Sequence, residues 1–177
     1  MQAAQIIWAL TLALTLSAAF LDWRSRRIPN WLTVPGVLLG AVAHTVISGW
    51  HGTLFAIEGA ALALILLLPP VLTRLLGAGD WKLMGAVGAF LGPQLTLVVL
   101  LGSLLASGLM ALIQMMRAQR VLETLRNMIL LVRGFLAFGL NKNPQISLDN
   151  ATLMKLPFGV AVAAATVICF CAVHWMA

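Results

Sequence analysis

Long apolar runs constrain the fold of this chain more than any other feature of its sequence. The first, residues 4–21, contains no charged side chain, and several others approach the length of about 20 residues needed to cross a bilayer. The chain is 62% hydrophobic and 9% charged, whereas a soluble domain carries roughly 25% charged residues. The sequence therefore predicts an all-α, polytopic membrane helical bundle in which residues 1–177 form a single membrane-embedded domain.

Glycine, proline and short polar stretches divide the apolar sequence into about six predicted transmembrane helices. They cover about residues 4–21, 31–48, 53–75, 82–92, 94–116 and 157–176. The fourth is short for a full crossing and is separated from the fifth by Gly92-Pro93. The long hydrophilic region, 117–156, contains apolar residues at helical spacing, which indicates an amphipathic segment at the membrane interface. This segment could be a lid, a docking surface or a simple connector.

The distribution of basic residues predicts the orientation of the bundle. If both the N- and the C-terminus lie outside, all 11 Lys and Arg residues fall on the cytoplasmic side, as expected of membrane proteins. The net charge of +6 then requires no nucleic acid as a partner. The expected partner is the lipid bilayer, with anionic lipid at the basic inner loops contributing about 1 kcal/mol per basic residue.

Two of the five acidic residues fall at the same predicted depth. Asp22 ends the first predicted helix and Asp80 begins the fourth, both at the cytoplasmic boundary. A carboxylate near the membrane core costs a few kcal/mol and is a candidate functional group. Each acid also has an ordinary explanation, since Asp80 could cap its helix and Asp22 could pair with Arg26 at i, i+4.

Other common catalytic and metal-binding arrangements are not found at this depth. The three histidines map to the outer half of the predicted bundle, and the two cysteines form neither a Cys-x-x-Cys motif nor a Cys/His cluster. We therefore predict no Ser–His or Cys–His site, no metal and no cofactor. A carboxylate pair remains, which can share a proton and activate water for peptide hydrolysis, with neither acid assigned as the base.

Glycines recur beside Asp80 and along two predicted helices. Gly77 and Gly79 allow backbone angles that are closed to other residues and let another chain approach closely. Residues 36–40 and 88–92 are GxxxG patterns, which let helix backbones pack at short distance. We expect the short fourth helix to pack tightly against its neighbours.

Four further residues near the two acids are candidates for support or for substrate contact. Lys82 and Arg26 could lower a carboxylate pKa by proximity or bind the substrate backbone. Pro29 fixes the turn into the second helix, and Asn30 could cap that helix. None of the four is predicted to be a catalyst.

Two sequence blocks resemble the type IV prepilin peptidases, a family of membrane aspartyl proteases. LGAGDWKLMGAVGAFLG, at 76–92, contains the GxGD motif of that family, and DWRSRRIPNWLT, at 22–33, is similar to the segment that carries its first catalytic aspartate. KLPFGVAVAAATV, at 155–167, resembles the entry to the last transmembrane helix. The resemblance implies that Asp22 and Asp80 are the catalytic pair.

The chain lacks the N-terminal cytoplasmic domain, with its paired Cys-x-x-Cys motifs, of larger prepilin peptidases. It resembles the short Flp/Tad-type branch, so no N-methyltransferase activity is expected. The resemblance implies a location in the bacterial inner membrane with the active site facing the cytoplasm. The implied substrates are Flp-type prepilins and pilin-like proteins, cut after a glycine at the cytoplasmic end of their hydrophobic segment.

Two other functions are compatible with the residues alone. Intramembrane carboxylates also build proton relays, so the chain could be a small proton-coupled transporter. Both acids lie at one face of the membrane, however, and no inverted repeat is evident. The third possibility is a non-catalytic pilus assembly factor. The sequence indicates neither the particular pilin nor the oligomeric state.

Overall fold

The chain is helical throughout the part that the computed structural model describes, which is residues 2–73, 76–117 and 157–176. The helices are α1 (Gln2–Ser25), α2 (Asn30–Leu66), α3 (Leu68–Leu72), α4 (Ala78–Arg117) and α5 (Phe158–Met176). No strand occurs in these ranges, which confirms the predicted all-α class. The predicted amphipathic segment at 117–156 lies, except for Arg117, outside the described residues.

The described helices include four that are long and apolar enough to cross a membrane. These are Ala3–Ser25, Asn30–Leu66, Ala78–Gln114 and Phe158–Trp175. Large apolar side chains cover the outer surface, including Val46 and Leu105, which are 80% and 77% exposed. Such a surface suits lipid, because soluble proteins rarely expose large apolar patches. The chain is therefore a multi-pass membrane protein, while the predicted count of six crossings and the outside termini stay predictions.

Helix α2 folds back on itself at Gly49, whose φ of 58° and ψ of −138° are not helical. The Thr45 and Thr53 hydroxyl oxygens lie 2.7 Å apart, although eight residues of straight helix would separate them by about 12 Å. A side chain on Gly52 would overlap the backbone carbonyl of His44. The two halves of α2, 30–48 and 50–66, are therefore antiparallel, and the reversal lies at the predicted turn.

Helix α4 also reverses, at Gly92, where φ is 72° and ψ is 178°. A straight helix would place Gly102 about 33 Å from Asp80. Instead, a methyl group on Gly102 would lie 3.1 Å from the Ala165 side chain of α5. Ala165 is only six residues from Gly159, which contacts the end of α1 beside Asp80. The break separates segments 78–91 and 93–117, as the Gly92-Pro93 signal predicted.

Glycines bring α2 and α4 into close contact. A methyl group on either Gly59 or Gly88 would overlap the backbone carbonyl of the other. Gly36 and Gly40 face α4 in the same way, with Ala89 backbone atoms 2.9 Å from the position of a methyl group on Gly40. The close packing predicted from the two GxxxG patterns is confirmed.

The first segment of α4 lies at the centre of the bundle. Residues 83–92 are all buried, and the fully buried large side chains include Leu83, Met84, Val87 and Phe90. A helix that is apolar on every side must be surrounded by other helices. The segment runs between two ends of the bundle: the acid end, with Asp22 and Asp80, and the far end, with Gly49 and Gly92.

Candidate active site

Asp22 lies in the last turn of α1 and points into the bundle. Its side chain is only 6% exposed, and it continues the buried stripe of Thr11, Thr15 and Ala18 at helical spacing. The Gly159 backbone N–H donates a hydrogen bond of 2.8 Å to Asp22 Oδ2. This donor is among the first N–H groups of α5, which have no partner within their own helix. The start of α5 therefore holds the Asp22 carboxylate.

Asp80 lies in the first turn of α4 and is partly buried. Its carboxylate accepts a hydrogen bond from the backbone of Gly77, the residue immediately before α4. This is the reach-back geometry that an acidic residue at the third helical position often adopts. The ordinary explanation of Asp80 as a helix-capping residue is thus correct in part. The same side chain also lies in the acidic site described next.

The structure brings the two acids together at one end of the bundle. Asp22 lies close enough to Asp80 for its charge to influence the Asp80 carboxyl group. Ile28 joins their surroundings, because a methyl group on Gly159 would lie 3.2 Å from Ile28 Cδ1, and one on Gly79 would lie 3.0 Å from the Ile28 carbonyl oxygen. Residues from α1, α4, α5 and the connection before α2 therefore converge on a shared acidic site.

Gly77 and Gly79, the two glycines beside Asp80, differ in part from what the sequence predicts. Neither has a positive φ; the positive-φ glycines of the described residues both lie at the far end. The unusual backbone angles that Gly77 and Gly79 allow are therefore not used. Their small size matters for packing within the chain, since a methyl group on Gly77 would lie 3.0 Å from Asp80 Oδ2 and one on Gly79 would crowd Ile28. The close approach of another chain stays a prediction.

Lys82 and Asn30 contact each other across the acid end. Lys82 Nζ donates a hydrogen bond of 3.0 Å to Asn30 Oδ1. Asn30 was predicted to cap α2, but Pro29 occupies the capping position in an extended conformation and no side chain caps the helix. Asn30 is instead the first residue of α2, so its amide is directed to Lys82. The pair ties the α1–α2 connection to the start of α4.

Arg26 ends α1 next to Asp22. Its φ of 52° is in the left-handed region, which commonly terminates a helix. The Arg26 backbone N–H donates to the Asp22 carbonyl oxygen at 2.9 Å, and its side-chain charge acts on the Asp22 carboxylate. The i, i+4 relationship predicted from the sequence is therefore an electrostatic contact within the site.

Gly159 and Ile28 contribute to the site without having been assigned a role from the sequence. Gly159 lies in the block that resembles the entry to the last transmembrane helix, so its position after Pro157 and Phe158 was the available signal. The absence of a side chain matters, because a methyl group there would lie 3.0 Å from Asp22 Oδ2. Ile28 is 8% exposed, and only the fold reveals that it separates Gly159 from Gly79.

A model of the type IV leader peptidase family matches residues 9–112, which is more than half of the chain. The chain belongs to the type IV leader peptidase family. No curated protein and no solved structure matches it. Membership makes the protein a membrane-embedded hydrolase, an aspartic-type leader peptidase whose general substrates are prepilins. Both Asp22 and Asp80 fall inside the matched residues, whereas α5 with Gly159 lies outside them.

Proposed function

We propose that this type IV leader peptidase family member cleaves the leader of Flp-type prepilins and pilin-like proteins, and that Asp22 and Asp80 are its catalytic pair. One observation carries the proposal: Asp22 on α1 and Asp80 on α4, distant in sequence, lie at the same end of a membrane bundle, where Gly159 and Gly79 beside them both pack against Ile28. Burying two acids near each other is unfavourable, and proteins keep such arrangements chiefly at functional sites.

The two acids supply the proton transfers of peptide hydrolysis. They hold one proton between them, because two like charges side by side do not both ionise easily. The ionised carboxylate takes a proton from water as the water oxygen attacks the scissile carbonyl carbon, and the protonated partner donates to the carbonyl oxygen. When the tetrahedral intermediate collapses, the C–N bond breaks and the leaving nitrogen receives a proton from the pair. In the same collapse a hydroxyl group of the intermediate returns its proton to the pair as the C=O bond re-forms, which restores the single shared proton.

Backbone hydrogen bonds support this chemistry by fixing both carboxylates. Gly159 holds Asp22, and Gly77 holds Asp80. Backbone donors are fixed by their helices, so the acids are oriented before the substrate arrives, and correct orientation removes much of an activation barrier. General acid–base catalysis of this kind contributes about 10²–10⁴-fold in rate.

The charges at the acid end support a cytoplasmic orientation of the site in the bacterial inner membrane. Arg24, Arg27 and Lys82 all lie at this end, and basic residues concentrate on the cytoplasmic side of membrane proteins. A prepilin would present its scissile bond at the acids while its apolar helix docks between the transmembrane helices. The same basic residues would contact anionic lipid and not the basic leader.

Co-expression with a candidate Flp prepilin, followed by N-terminal sequencing of the product, tests the proposal. We expect cleavage after a glycine at the start of the hydrophobic segment. Asp22→Asn and Asp80→Asn should each reduce cleavage by about 100-fold or more, with membrane insertion unchanged. Glu58→Gln is the matched control, because Glu58 is an exposed acid on α2. Near wild-type processing by either Asn variant would show that the pair is not catalytic.

A further inference from the structure

Thr33, near the start of α2, has an unusual side chain. It is 1% exposed, and its hydroxyl is the one buried side-chain polar atom in residues 2–73, 76–117 and 157–176 that lacks a hydrogen-bond partner. Buried hydroxyl groups are nearly always paired, because leaving one unpaired costs free energy. A native protein that keeps such a group has a use for it or tolerates a defect.

The other described threonines behave differently. Each hydroxyl oxygen lies within hydrogen-bonding distance of the carbonyl oxygen four residues earlier; these are Thr11, Thr15, Thr45, Thr53, Thr73, Thr96 and Thr166. The equivalent acceptor for Thr33 is the Pro29 carbonyl oxygen, which takes the backbone N–H groups of Leu32 and Thr33 at 3.2 and 3.5 Å. The Thr33 hydroxyl is therefore not used by its own helix.

The packing of α2 places Thr33 between α1 and α4. Gly36, one turn further along α2, packs between the two helices: a methyl group there would lie 3.0 Å from Leu14 Cδ1 and 3.2 Å from Ala86 Cβ. Thr33 and Gly36 share the buried face of α2. Thr33 consequently occupies the next layer of the same interface, one turn closer to the acid end.

That layer is the one next to the two acids. One turn from Gly36 toward the acid end, α1 contributes Ala18 and α4 contributes Leu83, both fully buried. One further turn along the same helices leads to Asp22 and Asp80. Side chains in a helix lean toward its N-terminus, and the N-terminus of α2 is at the acid end. Thr33 thus lies about one helical turn, or about 5 Å, from the level of the two carboxylates, and the lean of its Cα–Cβ bond is toward that level.

We propose that the Thr33 hydroxyl is a third polar group of the active site and hydrogen-bonds the water that the two aspartates activate. This inference rests on the proposed function. A hydroxyl oxygen can accept one water hydrogen while the ionised carboxylate takes the other. A buried water typically has about three polar partners, and the two carboxyl groups with Thr33 supply that number. The neutral hydroxyl orients the nucleophile without adding a charge to the acid pair.

One substitution that removes the hydroxyl and one that keeps it test this role in the full-length protein. Cleavage of a purified Flp-type prepilin is measured for Thr33→Val and Thr33→Ser, together with the thermal midpoint of each variant. We expect Thr33→Val to lower kcat about 10-fold with KM within about 2-fold, and to leave the thermal midpoint unchanged or higher because an unpaired hydroxyl has been removed. Thr33→Ser should retain at least half of wild-type kcat.

Two controls separate the possible outcomes. Thr15→Val removes a buried hydroxyl that already bonds to the Thr11 carbonyl oxygen, so it should not change kcat. Thr33→Ser and Thr33→Ala differ only in the hydroxyl, and the Ala variant must show the same loss of kcat as the Val variant. Wild-type kcat in Thr33→Val, or a loss of kcat matched by a lower thermal midpoint, would overturn the role of Thr33. Asp22→Asn and Asp80→Asn, assayed in parallel, remain inactive in that case unless the proposed function is itself wrong.

Discussion

At the far end of the bundle, hydrogen bonds of polar side chains join segments of the chain, whereas at the acid end two carboxyl groups lie near each other and a buried hydroxyl is unpaired. His44 Nε2 donates to the Phe90 carbonyl oxygen at 2.8 Å, and Thr45 bonds to Thr53 across the Gly49 reversal. At the acid end the Asp22 carboxyl group acts on a second acid, and the Thr33 hydroxyl has no partner. Proteins commonly retain such unfavourable arrangements at functional sites.

The two ends also differ in how the chain builds them. The far end consists of two reversals, at Gly49 and Gly92, each made by residues adjacent in sequence. The acid end brings together four segments, with Asp22, Ile28, Asp80 and Gly159 spread over 138 positions of the chain. Each of these two reversals can therefore form locally, while the acid end depends on the packing of every helix that leads to it.

The largest expected effect is loss of the folded bundle, including both of its ends. It should follow from a substitution at the glycine crossing, the close contact between Gly59 on α2 and Gly88 on α4. Gly88→Val forces a side chain into the backbone of Gly59, so α2 and α4 must separate. We expect a free-energy cost of about 3 kcal/mol or more, at the upper range for overpacking, because backbone cannot move aside as a flexible side chain can. Size-exclusion profiles and thermal midpoints in detergent measure the effect.

Gly108→Val is the control for this prediction. It adds the same side chain to a later part of α4, where no atom would lie within 4 Å of the new Cβ. Its profile should match the wild type. If Gly88→Val also yields a monodisperse protein with the wild-type midpoint, the glycine crossing does not join the two ends.

A smaller effect, confined to the acid end, is expected from Gly79→Ala. The added methyl group would lie 3.0 Å from the Ile28 carbonyl oxygen, so the start of α4 must move by a few tenths of an ångström relative to the connection before α2. Because small misplacements of reacting groups are costly, we expect prepilin cleavage per folded molecule to fall about 10-fold. Initial rates normalised to the folded fraction measure this change.

Gly102→Ala supplies equal crowding away from the acids. Its methyl group would lie 3.1 Å from the Ala165 side chain, between α4 and α5. Cleavage per folded molecule should remain at the wild-type level even if stability falls. Equal losses of cleavage in the two variants would mean that the acid end is no more sensitive to packing than the rest of the bundle.

The sequence predicted those parts of the structure that depend on local signals. Apolar runs predicted the helical membrane bundle, Gly92-Pro93 predicted a break, and the positions of Asp22 and Asp80 at helix ends predicted a common depth. The role of Gly159 and the orphan hydroxyl of Thr33 depend on how distant helices align, which no local pattern encodes. Asn30 illustrates the limit, because its residue type suits a helix cap. The helix begins at Asn30 itself, one residue after the capping position, and its amide bonds to Lys82 instead.

The smallest expected effect is confined to the far end. His44→Leu removes the donor to the Phe90 carbonyl oxygen, which lies beside the break at Gly92, where regular helical hydrogen bonding is interrupted. Leaving that buried carbonyl unpaired should cost about 1 kcal/mol and lower the thermal midpoint by a few degrees. His51→Leu, at an exposed position on the same end, should leave the midpoint unchanged.

Cleavage per folded molecule should be the same in both, because the acids are fixed by Gly159 and Gly77 and not by the reversals. A loss of cleavage in His44→Leu as large as that in Gly79→Ala would mean that the far end also sets the geometry of the acids, and the division between a stabilising end and a reactive end would no longer hold.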